Sequence, residues 1–343
     1  MSPVIRACEK QHIDYFILHT CQHYSHEMDK IFFEELGLPE ARYNLDIRSG
    51  LQAEQKGRIM TGVETVLVDE EPDIILVEGD TNTVLASALA ATKLGIKVGH
   101  VEAGLRSFDR KMPEEINRVL TDHISDYLFA PTEIARRNLQ KEGIAEDKIF
   151  VTGNTVVDAV YQNSEIAKKN SKVLERFWLK KGQYFLITAH RQENVDVRDR
   201  FQGIVKGLKL LYNEFLIPII FPIHPRTLKK MIEFNLHLKG VIPVDPVSFL
   251  DFLLLEGCAK LVLTDSGGVQ EETCILKVPC VTLRDNTERP ETIEVGSNVL
   301  VGTQPNGIVK GVKLMLEKER NWRAPFGDGN AGMKVVEILK KEL

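Results

Sequence analysis

The sequence predicts an α/β protein of two doubly wound, Rossmann-like domains facing a cleft, on three observations. Short β-branched apolar runs alternate with longer amphipathic stretches from end to end, the pattern of a parallel sheet covered by helices on both faces. The 343 residues suffice for two domains at roughly 150 residues each. A polar stretch rich in Lys, Asn and Ser, Gln162–Lys172, separates the halves.

The elements follow in chain order. Ser2-Pro3-Val4-Ile5-Arg6 reads as a helix start, with Ser2 at the cap and Pro3 in the first turn. Strands are expected at Ile13–His19, Asp73–Val77, Lys97–Val101, Tyr127–Ala130 and Lys148–Val151, with helices Glu27–Leu36, Thr83–Leu94 and Glu133–Lys141 among them. The second half offers strands at Tyr184–Thr188, Pro218–Pro222, Gly240–Val244, Leu261–Thr264, Cys280–Leu283 and Asn298–Val301, with helices that include Arg200–Asn213 and Gly307–Glu319. A doubly wound domain normally opens on a strand that lies in the middle of its sheet, and here no strand precedes the first helix. The first domain is therefore expected to lack its N-terminal central strand, a loss that leaves two ladders unpaired. The expectation that follows is a numbering that starts inside a longer natural chain, at an internal Met; the intact mass of the native protein tests it.

Composition narrows the function. With 44 Lys+Arg against 49 Asp+Glu, the net charge of −5 argues against a broad nucleic-acid or membrane surface and leaves room for a local basic pocket. No apolar run approaches the ~18 residues of a membrane span, and the N-terminus has no signal-peptide pattern. Five cysteines (Cys8, Cys21, Cys258, Cys274, Cys280) are odd in number and form no C-x-x-C, which fits small buried side chains in a reducing cytosol. The expected location is cytoplasmic.

In open α/β sheets, ligands bind beyond the carboxyl ends of the strands, and five segments there carry unusual polar groups. Val77-Glu78-Gly79-Asp80-Thr81 ends a strand in an acid that is either a helix cap or a functional carboxylate. Val101-Glu102-Ala103-Gly104-Leu105-Arg106 puts a Glu at a buried strand end, as an ion pair with Arg106 or as a working group. Met112-Pro113-Glu114-Glu115 is a dipole-favoured helix start with a free choice between structural and chemical use. His190-Arg191 follows the first strand of the second domain and can turn two donors toward a ligand. Thr264-Asp265-Ser266-Gly267-Gly268 joins a strand to a helix start, where glycines and free N–H groups suit a phosphate. It matches neither Gly-x-Gly-x-x-Gly nor the P-loop pattern, which weakens dinucleotide and ATPase readings. Arg284-Asp285-Asn286-Thr287-Glu288-Arg289 is either a solvated charged loop or a set of anion-pairing cations. His19, His23 and His26 lack the partners of a tetrahedral metal site, so no metal is expected there, and Gln22-His23 is left as a ligand contact. Carboxylates from one domain and a phosphate cradle from the other suit a nucleotide sugar.

Taken in order, Glu78-Gly79-Asp80-Thr81, Gly99-His100-Val101-Glu102-Ala103-Gly104-Leu105-Arg106, Pro113-Glu114-Glu115-x-Asn117-Arg118, Thr152-Gly153-Asn154-Thr155, Thr264-Asp265-Ser266-Gly267-Gly268-x-Gln270-Glu271-Glu272 and Thr287-Glu288-Arg289-Pro290-Glu291 resemble the non-hydrolysing UDP-N-acetylglucosamine 2-epimerases over essentially the whole chain. The resemblance implies a two-domain fold like that of the GT-B glycosyltransferases. Its domains would be 1–156, joined by a C-terminal helix 332–343 that crosses back, and 157–331, which binds UDP. It also implies a homodimer acting on a UDP-sugar, with no metal and no nicotinamide. The implied reaction interconverts UDP-N-acetylglucosamine and UDP-N-acetylmannosamine by eliminating UDP across C1–C2 and adding it back to the glycal. By the same resemblance Asp80, Glu102 and Glu114 match acid/base carboxylates, and His190 a group near the diphosphate. Ser266, Gly267 and Gly268 match the phosphate cradle, Glu272 a ribose-binding carboxylate, and Phe252 the segment flanking uracil, while Arg289 is a further substrate-binding residue. Gln22 and His23 match a segment that binds a second substrate molecule as activator. Family members begin with a strand and a Gly-Thr-Arg-Pro-Glu segment that has no counterpart before Met1, so impaired catalysis is expected of the short chain. A hydrolysing epimerase, a retaining GT-B glycosyltransferase and an inactive nucleotide-sugar-binding protein stay open as alternatives.

Overall fold

The computed structural model describes residues 1–20, 33–47 and 50–342. The chain divides into two compact units, one formed by Met1–Ala159 with Phe326–Leu343 and the other by Val160–Pro325.

The second unit is a six-stranded, all-parallel sheet. Its strands are β7 (Phe185–Thr188), β8 (Ile219–Pro222), β9 (Val241–Val244), β10 (Leu261–Thr264), β11 (Cys280–Thr282) and β12 (Asn298–Leu300), in the order β12-β11-β10-β7-β8-β9. β7 comes first in the chain and lies inside the sheet; β8 and β9 extend it one way, and the chain then returns to lay β10 on its other side. Both sheet faces are covered, which explains why these strands are apolar runs rather than alternating ones. Phe185 and Ile187 pack with Ile204, Leu208 and Leu211 of the helix Arg198–Phe215, while Leu186 and Tyr184 pack with Leu255, Val262 and Val269 on the opposite face. The winding reverses between β7 and β10, which pair from Leu261↔Phe185 to Thr264↔Thr188. That reversal opens the crevice where doubly wound sheets take ligands.

In the first unit, β3 (Ile74–Glu78), β4 (Lys97–Val101), β5 (Tyr127–Ala130) and β6 (Ile149–Val151) form a parallel sheet in sequential order. β1 (Leu18–His19) pairs with β2 (Tyr43–Asn44) in a separate two-stranded sheet, so among the described residues the ladder is interrupted between β1 and β3. The strand expected over Ile13–His19 is thus only Leu18–His19. Ile13 and Tyr15 pack instead against a cluster that includes Val4, Ala7 and Val335. The first helix spans Ser2–Gln11 with Pro3 in its first turn, but the cap position is Met1 rather than Ser2 and no side chain caps it. The helix expected over Glu27–Leu36 lies mostly outside the described residues. Strand β2 and the helix Gln52–Glu70 are additions to the sequence reading; Ile59, Val63, Val66 and Leu67 form the helix's buried stripe.

The C-terminal helix Ala331–Glu342 packs on Ser2–Gln11 so closely that a Cβ at Gly332 would lie 2.6 Å from the Pro3 carbonyl oxygen. Asp158 accepts the N–H groups of Ala331 and Gly332, each at 3.1 Å, and so satisfies two donors of that helix's first turn. Cys8, Cys274 and Cys280 are buried free thiols. Among the described residues no helix is long and apolar enough to cross a membrane.

Candidate active site

In the first unit the polar groups gather at the carboxyl ends of β3 and β4. Gly79 (φ 86°) turns the chain out of β3, and Glu102, at the end of β4, holds φ 70°, a left-handed conformation unusual for a residue with a side chain. A Cβ at Gly79 would lie 3.7 Å from Glu102 Oε2, so the Glu102 carboxyl sits beside the turn that carries Asp80. Asp80 is not a helix cap. The helix Asn82–Leu94 begins after Thr81 without a side-chain cap, and Asp80 Oδ2 instead accepts from the buried Arg118. Asn117 Nδ2 donates to the Asp80 carbonyl at 2.8 Å, so the helix Pro113–Ile124 is tied to this turn by two consecutive side chains.

That helix also separates its two adjacent acids. Glu115 is buried and accepts the backbone N–H groups of Ser107 and Phe108, each at 2.9 Å, together with Arg118 Nη1 at 2.9 Å. Glu115 therefore shapes the loop ahead of the helix. Glu114 is half-buried, one turn before Arg118 on the same face.

Arg106 does not pair with Glu102, as one reading of the sequence had it. It is 1 % exposed and reaches Asp122 Oδ2 at 2.6 Å and Glu142 Oε2 at 2.7 Å. Asp122, also fully buried, meets His100 Nδ1 at 2.6 Å, while His100 Nε2 lies 2.9 Å from the Gly79 carbonyl. With Asp122 ionised both partners only accept, so the geometry favours a proton on each ring nitrogen, the imidazolium form of His100. Burial works against that charge, but Asp122's charge and hydrogen bond, with help from the Gly79 carbonyl, more than offset it and raise the His100 pKa. Conversely, burial would raise Asp122, yet His100 and Arg106 hold it below the ordinary carboxylate range. This cluster fixes the Gly79 carbonyl, and with it the turn from which Asp80 projects. Gly104 (φ 82°) completes the arrangement: its N–H donates to Asp122 Oδ2 at 3.1 Å, and a Cβ there would lie 2.4 Å from the Ala135 carbonyl oxygen.

In the second unit the candidate residues sit where the winding reverses, at the ends of β7 and β10. Thr188 Oγ1 and Thr264 Oγ1 meet at 2.7 Å across the two strands. The next residue on β10, Asp265, is fully buried and collects the backbone N–H of His190, the backbone N–H of Arg191 and Asn194 Nδ2, all at 3.1 Å. His190 Nδ1 lies 3.2 Å from Asp265 Oδ1, and its side chain is 51 % exposed. With one ring nitrogen held from below, Nε2 is the atom left for a ligand. Burial pushes Asp265 up, but these hydrogen bonds outweigh it and lower its pKa.

Ser266 is the cap position of the helix Gly267–Ile275, and no side chain caps that helix, so its first-turn N–H groups are offered to an acceptor from outside. Gly267 is required there, because a Cβ would collide with Oε1 of the buried Glu288, while Gly268 is exposed and a Cβ there would meet only Ser266 Oγ, at 4.0 Å. Glu272 follows one turn later and is half-buried. The segment after β11 is not a solvated loop: Arg284, Glu288 and Arg289 are buried, with Arg284 Nη1 2.8 Å from Glu288 and Arg289 Nε 2.8 Å from Glu271. Arg289 is thus packed beneath the cradle. Phe252, on the helix Phe249–Cys258, is half-buried against the cluster of Leu255 and Val262. Gln22 and His23 lie outside the described residues. Among the described residues no group of three or more His, Cys, Asp or Glu side chains is placed to hold a metal ion.

Sequence reasoning did not single out His100, Asp122 or Asp265. The signal for the first two was available only as a histidine in the buried part of a strand that starts at Lys97 and an acid on a helix, whose meeting is a tertiary event.

A family model for UDP-N-acetylglucosamine 2-epimerase matches residues 6–340. A UDP-N-acetylglucosamine 2-epimerase of Methanocaldococcus jannaschii is 59 % identical, over 99 % of this chain and 94 % of the relative. A UDP-2,3-diacetamido-2,3-dideoxy-D-glucuronate 2-epimerase of Pseudomonas aeruginosa is 41 % identical, over 97 % of this chain and 93 % of its own. Among solved structures, the Methanocaldococcus jannaschii UDP-GlcNAc 2-epimerase in complex with UDP-GlcNAc and UDP superposes with a TM-score of 0.93, covering 99 % of this chain and 95 % of that one. Motif order, parallel-sheet architecture and these likenesses converge, and the chain belongs to the UDP-N-acetylglucosamine 2-epimerase family.

Proposed function

We propose that this protein interconverts UDP-N-acetylglucosamine and UDP-N-acetylmannosamine without net hydrolysis. The observation that carries the reading is the set of carboxylates at the ends of β3 and β4 and at the start of the helix Pro113–Ile124. Asp80 and Glu102 adjoin the Gly79 turn, and Glu114 is left over once Glu115 is taken up by the loop. Inverting C2 requires a proton to leave one face and another to arrive on the opposite face, so a site with more than one acid/base group is the minimum equipment. In the forward direction one carboxylate takes the C2 proton, the C1–O bond breaks and UDP departs with the electron pair, leaving a 2-acetamidoglucal. UDP then adds back at C1 while an acid protonates C2 from the other face.

His190, steadied by Asp265, is assigned to the departing diphosphate, where a donor stabilises the developing negative charge. The uncapped start of the helix Gly267–Ile275, with Ser266, Gly267 and Gly268, is assigned to the phosphates. Glu272 is assigned to the ribose hydroxyls and Phe252 to the uracil side. Arg289 acts indirectly, through Glu271 beneath the cradle. The UDP-GlcNAc and UDP held by the Methanocaldococcus jannaschii relative support a UDP-sugar as the ligand in this reading. A homodimer in the cytoplasm is part of the same reading, and light scattering tests the assembly.

Incubation with UDP-N-acetylglucosamine in D2O, followed at C2 by NMR, tests the chemistry. Appearance of the C2 epimer with deuterium at C2 and UDP still attached is expected. Release of free N-acetylmannosamine with UDP would instead mark a hydrolysing enzyme. Binding without exchange would mark a protein that only holds the nucleotide sugar.

A further inference from the structure

The buried carboxylates described so far are surrounded by donors, and one is not. Glu256 lies near the end of the helix Phe249–Cys258, in an otherwise apolar run that includes Leu253, Leu254 and Leu255. It is 0 % exposed, and neither carboxyl oxygen has a hydrogen-bond donor from the rest of the protein. What the side chain meets is a second carboxyl, that of Glu272 on the neighbouring helix Gly267–Ile275. An isolated buried charge is far costlier than a buried neutral acid, and two carboxylates in contact cannot both stay ionised. The pair therefore shares one proton. It belongs on the deeper member, because Glu256 is sealed from water while Glu272 is half-buried at the candidate nucleotide site.

We propose that Glu256 is a positioning residue that stays protonated at neutral pH and donates its O–H to Glu272, locking Glu272 as the acceptor for the two ribose hydroxyls of the nucleotide. The inference rests on the assignment of Glu272 to the ribose. A carboxylate offers about four lone-pair sites, so accepting one bond from Glu256 leaves capacity for both hydroxyls of a vicinal diol while fixing the plane in which they are met. The proton affinities agree. Burial first, then the neighbouring charge of Glu272, push Glu256 well above the usual carboxylate range, whereas Glu272 is raised by burial and drawn back down by the bond from Glu256. The other titratable groups close to Glu256 are Tyr184 and Cys280. Burial raises both, Cys280 to about 12, so neither changes charge between pH 5 and 9.

Two variants and two readouts test this on the full chain. E256Q keeps a neutral donor of nearly the same shape; E256L keeps the volume and removes the donor. Calorimetric affinities for UDP and for 2′-deoxy-UDP give a discrimination ratio that a merely structural role would not move. The wild type is expected to prefer UDP by about tenfold, E256Q to keep that preference, and E256L to lose most of it. The second readout is thermal unfolding from pH 5 to 9. A carboxyl whose pKa is raised in the folded state makes stability fall as pH rises from the ordinary carboxylate range through the raised value, so E256Q should flatten the descent seen in the wild type. An E256L protein that discriminates as well as the wild type overturns the proposal and leaves the epimerase reading intact. So does an E256Q profile with undiminished pH slope, which decides the matter even where E256L fails to fold. A wild type that binds UDP and 2′-deoxy-UDP equally removes the ribose role of Glu272, and this proposal with it.

Discussion

Each unit is organised around one fully buried aspartate, Asp122 in the first and Asp265 in the second, and their neighbours give them opposite uses. Asp122 is enclosed by His100 and Arg106, which are as buried as it is. The charge is neutralised in place, and the cluster holds the Gly79 carbonyl and the Gly104 N–H. Asp265 instead takes backbone N–H groups and Asn194, and its one ionisable contact, His190, is half in solvent. Burial raises both carboxyls, but it is outweighed at Asp122 by the charges and hydrogen bonds of His100 and Arg106 and at Asp265 by hydrogen bonds and the neighbouring His190, so both lie below their ordinary pKa. A buried carboxylate therefore acts as scaffold or as the support of a presented group according to whether its partner is buried or exposed.

Removing each centre should break the comparison in a different way. Asp122→Ala removes the buried counter-charge of His100 and leaves Arg106 with Glu142 alone, and is expected to cost about 3–5 kcal/mol, read as loss of the first unit's transition in urea while the second unit's persists. Asp265→Asn keeps the volume but weakens the hold on His190. Turnover should fall by about 10²-fold or more with a stability loss of only about 1–3 kcal/mol, the reverse emphasis. If D265N loses stability and activity in step with D122A, the contrast between scaffold and support is lost.

Gly104→Ala drives a Cβ into the Ala135 carbonyl at a positive φ and should cost about 1–3 kcal/mol in the first unit alone, measured by its melting transition. A gentler probe is pH. Because the His100 pKa is raised in the folded state, its contribution is complete below about 6.5 and is lost as pH rises through the folded value. His100→Gln should lower thermal stability at pH 6 and reduce its further decline toward pH 9; an unchanged slope would show that the imidazolium is not the source. The two aspartates act with the opposite sign, since their lowered values make stability fall as the solution is acidified through them. Smallest is Thr188→Val at the β7–β10 reversal, about 1 kcal/mol or less, because Thr264 Oγ1 keeps the Ser266 N–H as partner.

Much of this was legible in the chain. Apolar runs ending in Gly-Asp, Glu-Ala-Gly and Asp-Ser-Gly-Gly mark the carboxyl ends of β3, β4 and β10, because period and turn chemistry are local properties. Local signals misled where a short ladder decided the outcome, as at Ile13–His19, where only Leu18 and His19 find partners. Charge-rich segments were harder still. The run from Arg284 to Arg289 reads equally well as a surface loop or as anion-pairing cations; Asp285 and Asn286 are exposed, but Arg284, Glu288 and Arg289 are buried because Glu288 and Glu271 satisfy the two cations.

Local sequence was enough for most of the strands and helices, for the doubly wound class and for the short list of polar groups at strand ends, all of which follow from residues within one turn or one strand of each other. The tertiary structure settled which acid of each set is taken up by neighbouring donors and which is not. It gave Glu115 to the loop and left Glu114, sent Arg106 to Asp122 and Glu142 rather than to Glu102, and set Glu256 against Glu272. The physical reason is that a charge's partner and its desolvation are set by atoms from distant parts of the chain, and their balance fixes where each proton resides.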